Sequence, residues 1–160
     1  MFDITFIIVF LIQSLRISIP YALPAMGATF SERGGVVNIA LEGILLISAF
    51  ATTVAVYYTE SPLLGILCGI GAGLFTAFIH GIITVTFKAD QIVSGISINL
   101  LAIGITKFSS QLLFSSSSNS PRIVGLEQWS FFHNSPVLNN PFILITCLLL
   151  LSSHILLFKT

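Results

Sequence analysis

The sequence predicts an all-α membrane protein, a polytopic bundle of about five transmembrane helices. Hydrophobic residues make up 55% of its 160 positions and charged residues only 8%, whereas soluble domains carry about 25% charged residues. Long apolar runs recur along the chain, each close to the 20 or so residues that a membrane-spanning helix needs. A membrane barrel would show shorter segments of alternating polarity. We therefore expect residues 1–160 to form a single transmembrane domain.

The predicted spans follow from these apolar runs. The first is interrupted by Arg16 and two prolines, the second carries Glu42, and the fourth carries Asn99 and Lys107. The fifth is the shortest, and Lys107 lies close enough to the end of its run to extend toward the membrane surface. The predicted spans are residues 4–28, 39–58, 62–87, 92–114 and 141–158.

The distribution of basic residues predicts the orientation of the spans. If all five cross the membrane, Arg33, Lys88 and Lys159 lie on one side and Arg122 on the other. Cytoplasmic loops carry the excess of Lys and Arg, which places the N-terminus outside and makes 115–140 an external loop. A re-entrant segment between the first two spans would change this parity.

Residues 31–43 (SERGGVVNIALEG) are predicted to form a broken or re-entrant segment, because glycines, an asparagine and charges separate two apolar runs. Irregular backbone at membrane depth is tolerated where it is buried in protein or lines a pathway. Glu42 either forms a structural ion pair with Arg33 or Arg16, or contacts a substrate or gate. The candidate pathway or gate residues of this segment are Glu32, Arg33, Asn38 and Glu42.

A polar stripe marks the fourth span. Small and polar residues recur at helical spacing, which predicts a face toward other helices or a cavity. The stripe comprises Gln91, Gly95, Asn99, Ala102 and Thr106. Asp90 and Gln91 also stand where they could cap the helix. The stripe therefore serves either capping and interhelical hydrogen bonds, or a pathway, with Asp90, Gln91 and Asn99 as its candidate residues.

The third span carries a ridge of small residues at steps of four, a pattern that lets another helix approach closely. The ridge comprises Gly65, Gly69, Gly73, Ala77 and Gly81. We interpret it as a packing surface and predict no chemistry for it. His80, which lies on the same span, is a single histidine that favours packing or hydrogen bonding over metal binding.

No arrangement of nucleophile and base, no metal-ligand cluster and no phosphate-binding loop stands out in the sequence. These observations predict no catalysis, no metal and no cofactor for this chain. The formal net charge is zero, which disfavours a nucleic-acid partner. What the composition favours is a lipid bilayer as surroundings and transport as the class of function.

Two blocks of the sequence resemble permease subunits of bacterial ABC importers of the branched-chain amino acid, ribose and nucleoside type. Residues 21–43 (YALPAMGATFSERGGVVNIALEG) resemble one signature block, and residues 89–107 (ADQIVSGISINLLAIGITK) resemble a second. The simple-sugar and nucleoside branch is the most similar. The resemblance extends over essentially the whole chain.

The resemblance implies ATP-driven uptake of nucleosides or simple sugars across the bacterial cytoplasmic (inner) membrane. Its implied partners are a second permease subunit, cytoplasmic ATPase subunits that use the ATP, and an extracytoplasmic substrate-binding protein. Family members continue with a cytoplasmic coupling loop and further spans, so residue 160 is expected to correspond to the end of an N-terminal half. Two alternatives remain at this point: a degraded or split permease acting as a membrane scaffold, and a small carrier coupled to protons through Glu42 and Asp90.

Overall fold

The computed structural model describes residues 4–117, 119–123, 146 and 148–153. Every regular element in this part of the chain is helical, which confirms the predicted all-α class. Among the described residues, three helical stretches are long and apolar enough to cross a membrane: Leu41–Thr59, Pro62–Thr86 and Gln91–Phe114. The helices are α1 (Ile4–Arg33), α2 (Leu41–Thr59), α3 (Pro62–Gly81) and α4 (Gln91–Phe114), and a π-helical turn, Ile82–Thr86, follows α3.

The chain divides into two units, which we describe separately. One comprises Met1–Phe30 and Leu126–Thr160, and the other comprises Ser31–Gly125. Most of α1 belongs to the first unit and remains helical through Pro20 and Pro24. The second unit contains the end of α1 together with α2, α3 and α4, and it holds all the candidate site residues.

The end of α1 corrects the predicted bounds of the broken segment. Helix α1 continues to Arg33 and α2 begins at Leu41, so the irregular stretch is 34–40 rather than 31–43. The cause is a glycine cap: Gly35 has φ +84°, a left-handed conformation that glycine adopts without strain. Its N–H donates to the Glu32 carbonyl (2.9 Å) and the Val36 N–H to the Ser31 carbonyl (3.0 Å), the two bonds of a Schellman motif.

Helices α2 and α3 form a tight hairpin. Only two residues separate them: Glu60, in a left-handed conformation that ends α2, and Ser61. The Glu60 N–H still donates to the Val56 carbonyl at 2.8 Å. Pro62 then occupies the first position of α3, where its missing N–H costs nothing. The connection therefore forces α2 and α3 to lie side by side in antiparallel orientation.

The small-residue ridge of α3 faces α2 along three of its five positions. A Cβ built on Gly73 would lie 2.5 Å from the Ser48 hydroxyl oxygen, and one on Gly69 would overlap the Thr52 hydroxyl. Further along, a Cβ on Gly65 would overlap the Val56 side chain. Ala77 continues the groove between the two helices, whereas a Cβ on Gly81 would meet nothing within 4 Å. The close approach therefore extends from Gly65 to Gly73.

A buried polar contact links α3 to α4. The His80 Nδ1 lies 3.0 Å from the Ser94 hydroxyl, and both side chains are buried. His80 Nε2 is a buried side-chain atom without a hydrogen bond within the described residues. The predicted hydrogen-bonding role of this histidine fits the contact with Ser94.

Other sequence predictions fall mainly outside the described residues. Of the predicted span 141–158, only 146 and 148–153 are described, and they are helical. Of the predicted external loop, 115–117 and 119–123 are described, and they carry no helix or strand. The orientation of the spans stays a prediction.

Candidate functional site: a linker held by α4

The irregular stretch 34–40, which we call the linker, joins α1 to α2 and ends in a local turn. The Asn38 side-chain oxygen accepts a hydrogen bond from the Ala40 N–H at 3.1 Å, an Asx turn that bends the backbone into α2. Ala40 occupies the N-cap position of α2 and is fully buried. Because alanine has no side-chain acceptor, the first N–H groups of α2 need partners from elsewhere.

Asn99 of α4 supplies one of these partners. Its Oδ1 accepts a hydrogen bond from the Gly43 N–H at 2.7 Å, and its Nδ2 donates to the Ile39 carbonyl at 3.0 Å. The Gly43 amide is the third of α2, one of those that the helix itself cannot pair. A side chain 56 residues away thus caps α2 and at the same time holds the end of the linker.

Gln91 makes an equivalent pair of bonds two helical turns earlier. Its Oε1 accepts from the Val37 N–H at 2.7 Å, and its Nε2 donates to the Gly35 carbonyl at 3.3 Å. Both ends of each amide are therefore used on linker or α2 backbone. We call Gln91 and Asn99 together the amide clamp.

Gly95 lies midway between the two clamp residues and lets the linker rest on α4. A Cβ there would lie 2.8 Å from the Ile39 Cβ and 3.0 Å from the Ala40 nitrogen. Contacts this short exclude any larger residue without movement of the linker. The predicted stripe thus faces the linker through Gln91, Gly95 and Asn99, and it continues as the buried residues Ala102 and Thr106.

Asp90 caps its own helix. Its Oδ1 accepts hydrogen bonds from the Ile92 N–H (2.8 Å) and the Val93 N–H (3.1 Å). This is the arrangement of an N-cap aspartate, whose negative charge also suits the helix dipole. The carboxylate lies on the exposed side of the unit.

The charged candidates of the segment flank the linker. Glu32 and Arg33 lie exposed in the last turn of α1, where the helix dipole favours the positive charge of Arg33. Glu42 lies exposed in the first turn of α2, where the helix dipole favours its negative charge. Asn38 is half-buried within the linker itself. Whether these residues contact a substrate, and whether Glu42 pairs with a basic residue, stay predictions.

The structure also brings together residues that the sequence analysis did not single out. A cavity of about 540 Å³ opens between the later turns of α2 and α4. Its apolar side comes from Phe50 and its neighbours, and its polar side from Lys107 and hydroxyl groups. The sequence signal for this cavity was Lys107, which directly follows Thr106, the last residue of the polar stripe. The sequence analysis instead expected Lys107 to extend toward the membrane surface.

These elements provide hydrogen bonding and shape but no reactive group. Within the described residues no three His, Cys, Asp or Glu side chains are close enough to hold a metal ion. Apolar helices with irregular backbone held against them are the features of a polytopic membrane protein. Comparison with known proteins identifies the family.

The chain belongs to the permease component family of the branched-chain amino acid transport system, whose model matches residues 10–160. It is a multi-pass protein of the cytoplasmic membrane. A guanosine ABC transporter permease protein of Bacillus subtilis is 39% identical over 118 residues, 65% of this chain and 37% of that protein. A nucleoside ABC transporter permease protein of Lactococcus lactis is 34% identical over 129 residues, 77% of this chain and 39% of that protein.

A third relative widens the range of cargo. A Haloferax volcanii protein with a provisional assignment as a glucose ABC transporter permease is 33% identical over 109 residues, 68% of this chain and 32% of that protein. The chain thus spans well under half the length of these relatives. No solved structure matches the chain.

Proposed function

We propose that this chain forms part of the translocation pathway of an ATP-driven importer of nucleosides or simple sugars. The observation that carries the proposal is family membership over 10–160, together with relatives whose printed roles are guanosine, nucleoside and glucose transport. The importer would include a second permease subunit, cytoplasmic ATPase subunits and an extracytoplasmic substrate-binding protein. ATP hydrolysis is the task of the ATPase subunits.

Nucleosides are the cargo that we favour over sugars. The two relatives with 39% and 34% identity carry nucleoside roles, whereas the relative at 33% carries a sugar role. The proposal therefore covers both substrate classes, with nucleosides as the favoured one, and uptake of both is measured in the test below.

The amide clamp gives the proposed pathway a defined element. Polar backbone groups of the linker at Gly35, Val37 and Ile39 are paired by α4 rather than left to water or lipid. In the proposed importer the linker and its exposed neighbours Glu32, Arg33 and Glu42 form the gate region at the end of the pathway. Their contact with substrate is part of this proposal.

The test is uptake in the native host. Deleting the gene is expected to abolish uptake of radiolabelled guanosine or glucose, and a plasmid copy is expected to restore it. Depleting ATP should stop the restored uptake, whereas a protonophore applied at constant ATP should leave it intact. Uptake unchanged by the deletion would contradict the proposal and favour a scaffold, and uptake lost with the protonophore alone would favour a proton-coupled carrier.

A further inference from the structure

We infer that the cavity between α2 and α4 is a binding site for a nucleoside, an assignment that rests on the proposed transport function. The cavity lies wholly within the unit Ser31–Gly125. Its volume of about 540 Å³ falls within the roughly 300–1,000 Å³ range of small-molecule sites. Its polar lining is concentrated on α4 and the chain that follows.

The lining is divided into an apolar and a polar side. Leu46, Ala49 and Phe50 of α2, with Ile103 of α4, form the apolar side. A flat heterocyclic base buries its faces well against such a surface, and an aromatic ring adds stacking. A simple sugar offers only the small C–H faces of its ring to such a surface, a smaller flat apolar area than that of a purine base. The apolar side therefore favours a nucleoside.

The polar side offers both donors and acceptors. The Thr53 hydroxyl donates to the Ala49 carbonyl at 2.9 Å, and the Thr106 hydroxyl donates to the Ala102 carbonyl at 2.7 Å. Their oxygens remain available to accept hydrogen bonds from ligand hydroxyl groups. Lys107 adds an ammonium group with three donors, which suits the carbonyl oxygen and ring nitrogen of a purine.

Backbone geometry after α4 completes the wall. Ser115 ends α4 in a left-handed conformation with φ 55°, so the chain turns back over the helix. The Ser110 hydroxyl donates to the Ser116 carbonyl at 2.7 Å and holds this return in place. Ser117 and Ser120 then line the cavity. Lys107 lies on the open side of the cavity, beside these serines, so its ammonium group is accessible to a ligand that enters.

The test is ligand protection of a cysteine placed in the cavity. A chain with Cys68→Ser and Cys147→Ser receives Ser117→Cys, at an exposed position that lines the cavity, and its labelling by a maleimide is followed in native-host membranes. Guanosine at ten times its dissociation constant leaves about one tenth of sites free, so labelling should slow about tenfold. Leu112→Cys is the matched control, because Leu112 lies five residues earlier in the last turn of α4, is 69% exposed and does not line the cavity.

Two further variants test the divided lining. The quantity compared is the guanosine concentration that halves the labelling rate. Phe50→Ala should raise it about tenfold because stacking is lost, and Lys107→Met should raise it about tenfold because a charged hydrogen bond is lost. Phe78→Ala and Lys88→Met, which lie outside the cavity, should leave it unchanged. Equal values for the cavity and control variants would overturn the assignment.

Several outcomes would overturn the inference while leaving the transport proposal standing. One is loss of guanosine uptake on gene deletion combined with no protection of Ser117→Cys by guanosine. Another is protection by glucose but not by guanosine, and a third is no labelling of Ser117→Cys while Leu112→Cys reacts. Protection by guanosine without any effect of gene deletion on uptake would instead support the site and contradict the transport function.

Discussion

Replacing Asn99 by alanine should release the start of α2 and the end of the linker. The Asn99→Ala variant removes the acceptor of the Gly43 N–H (2.7 Å) and the donor to the Ile39 carbonyl (3.0 Å). Because Ala40 at the N-cap position has no side-chain acceptor, nothing in the local sequence replaces the first bond. We expect the linker to open more often while the helices themselves stay folded.

The size of the effect follows from the two unpaired groups. A buried polar group that loses its partner costs about 1–3 kcal/mol, whereas hydrogen bonds between membrane helices average about 0.6 kcal/mol. Two bonds then contribute roughly 1 to 6 kcal/mol to the free energy of opening the linker. A value of about 2.8 kcal/mol corresponds to about 100-fold faster exchange of the Gly43 amide when exchange follows the opening equilibrium.

Hydrogen–deuterium exchange followed by mass spectrometry on peptides across 35–45 measures this opening in detergent or nanodiscs. Asn99→Asp separates the two bonds, because a carboxylate can accept from the Gly43 N–H but cannot donate to the Ile39 carbonyl. Its exchange should lie between that of the wild type and that of Asn99→Ala. Leu100→Ala is the control, since Leu100 is 65% exposed on the same helix. Wild-type exchange of the Gly43 peptide in Asn99→Ala would refute the reasoning.

Three other variants test the rest of the unit. Gly69→Val would force a side chain into Thr52, which should lower the free energy of unfolding by about 1–3 kcal/mol or more and the melting temperature in detergent by several degrees. Gly71→Val is the control, because a Cβ at Gly71 meets nothing within 4 Å. Equal melting temperatures of the two variants would contradict the packing. Asp90→Ala should lower the free energy of unfolding, measured by chemical denaturation, by about 1 kcal/mol, and Asp90→Asn should lower it by less. Identical losses in the two variants would argue against capping. Glu42→Ala should reduce uptake or complex assembly, and a variant with unchanged expression and uptake would remove Glu42 from the proposed gate.

The sequence was informative where helical periodicity decides which residues share one face of a helix. Spacing alone placed Gln91, Gly95 and Asn99 on one face of α4, and the structure sets that face against the linker. What spacing could not supply was the partner. The amides bind backbone groups 54 to 60 residues away, and such pairing depends on how the helices assemble.

Two differences between prediction and structure have identifiable causes. The broken segment was predicted from residue 31 because charges and glycines were read together, although Arg33 followed by Gly34 and Gly35 is a common signature of a helix end. The cavity was missed because part of its lining, Ser117 and Ser120, reaches Lys107 only after the chain turns back at Ser115. A backbone turn of this kind leaves no trace in hydrophobic periodicity.

The meshing of Ser48, Thr52 and Val56 with three glycines has a consequence for movement. Backbones in contact over about two helical turns, joined by a two-residue connection, have little freedom to slide or separate, so α2 and α3 are expected to move as one rigid pair. A change of shape in this unit would then have to occur outside the α2–α3 pair. The amide clamp is one contact that could take part, because its four hydrogen bonds can break and re-form without separating α2 from α3.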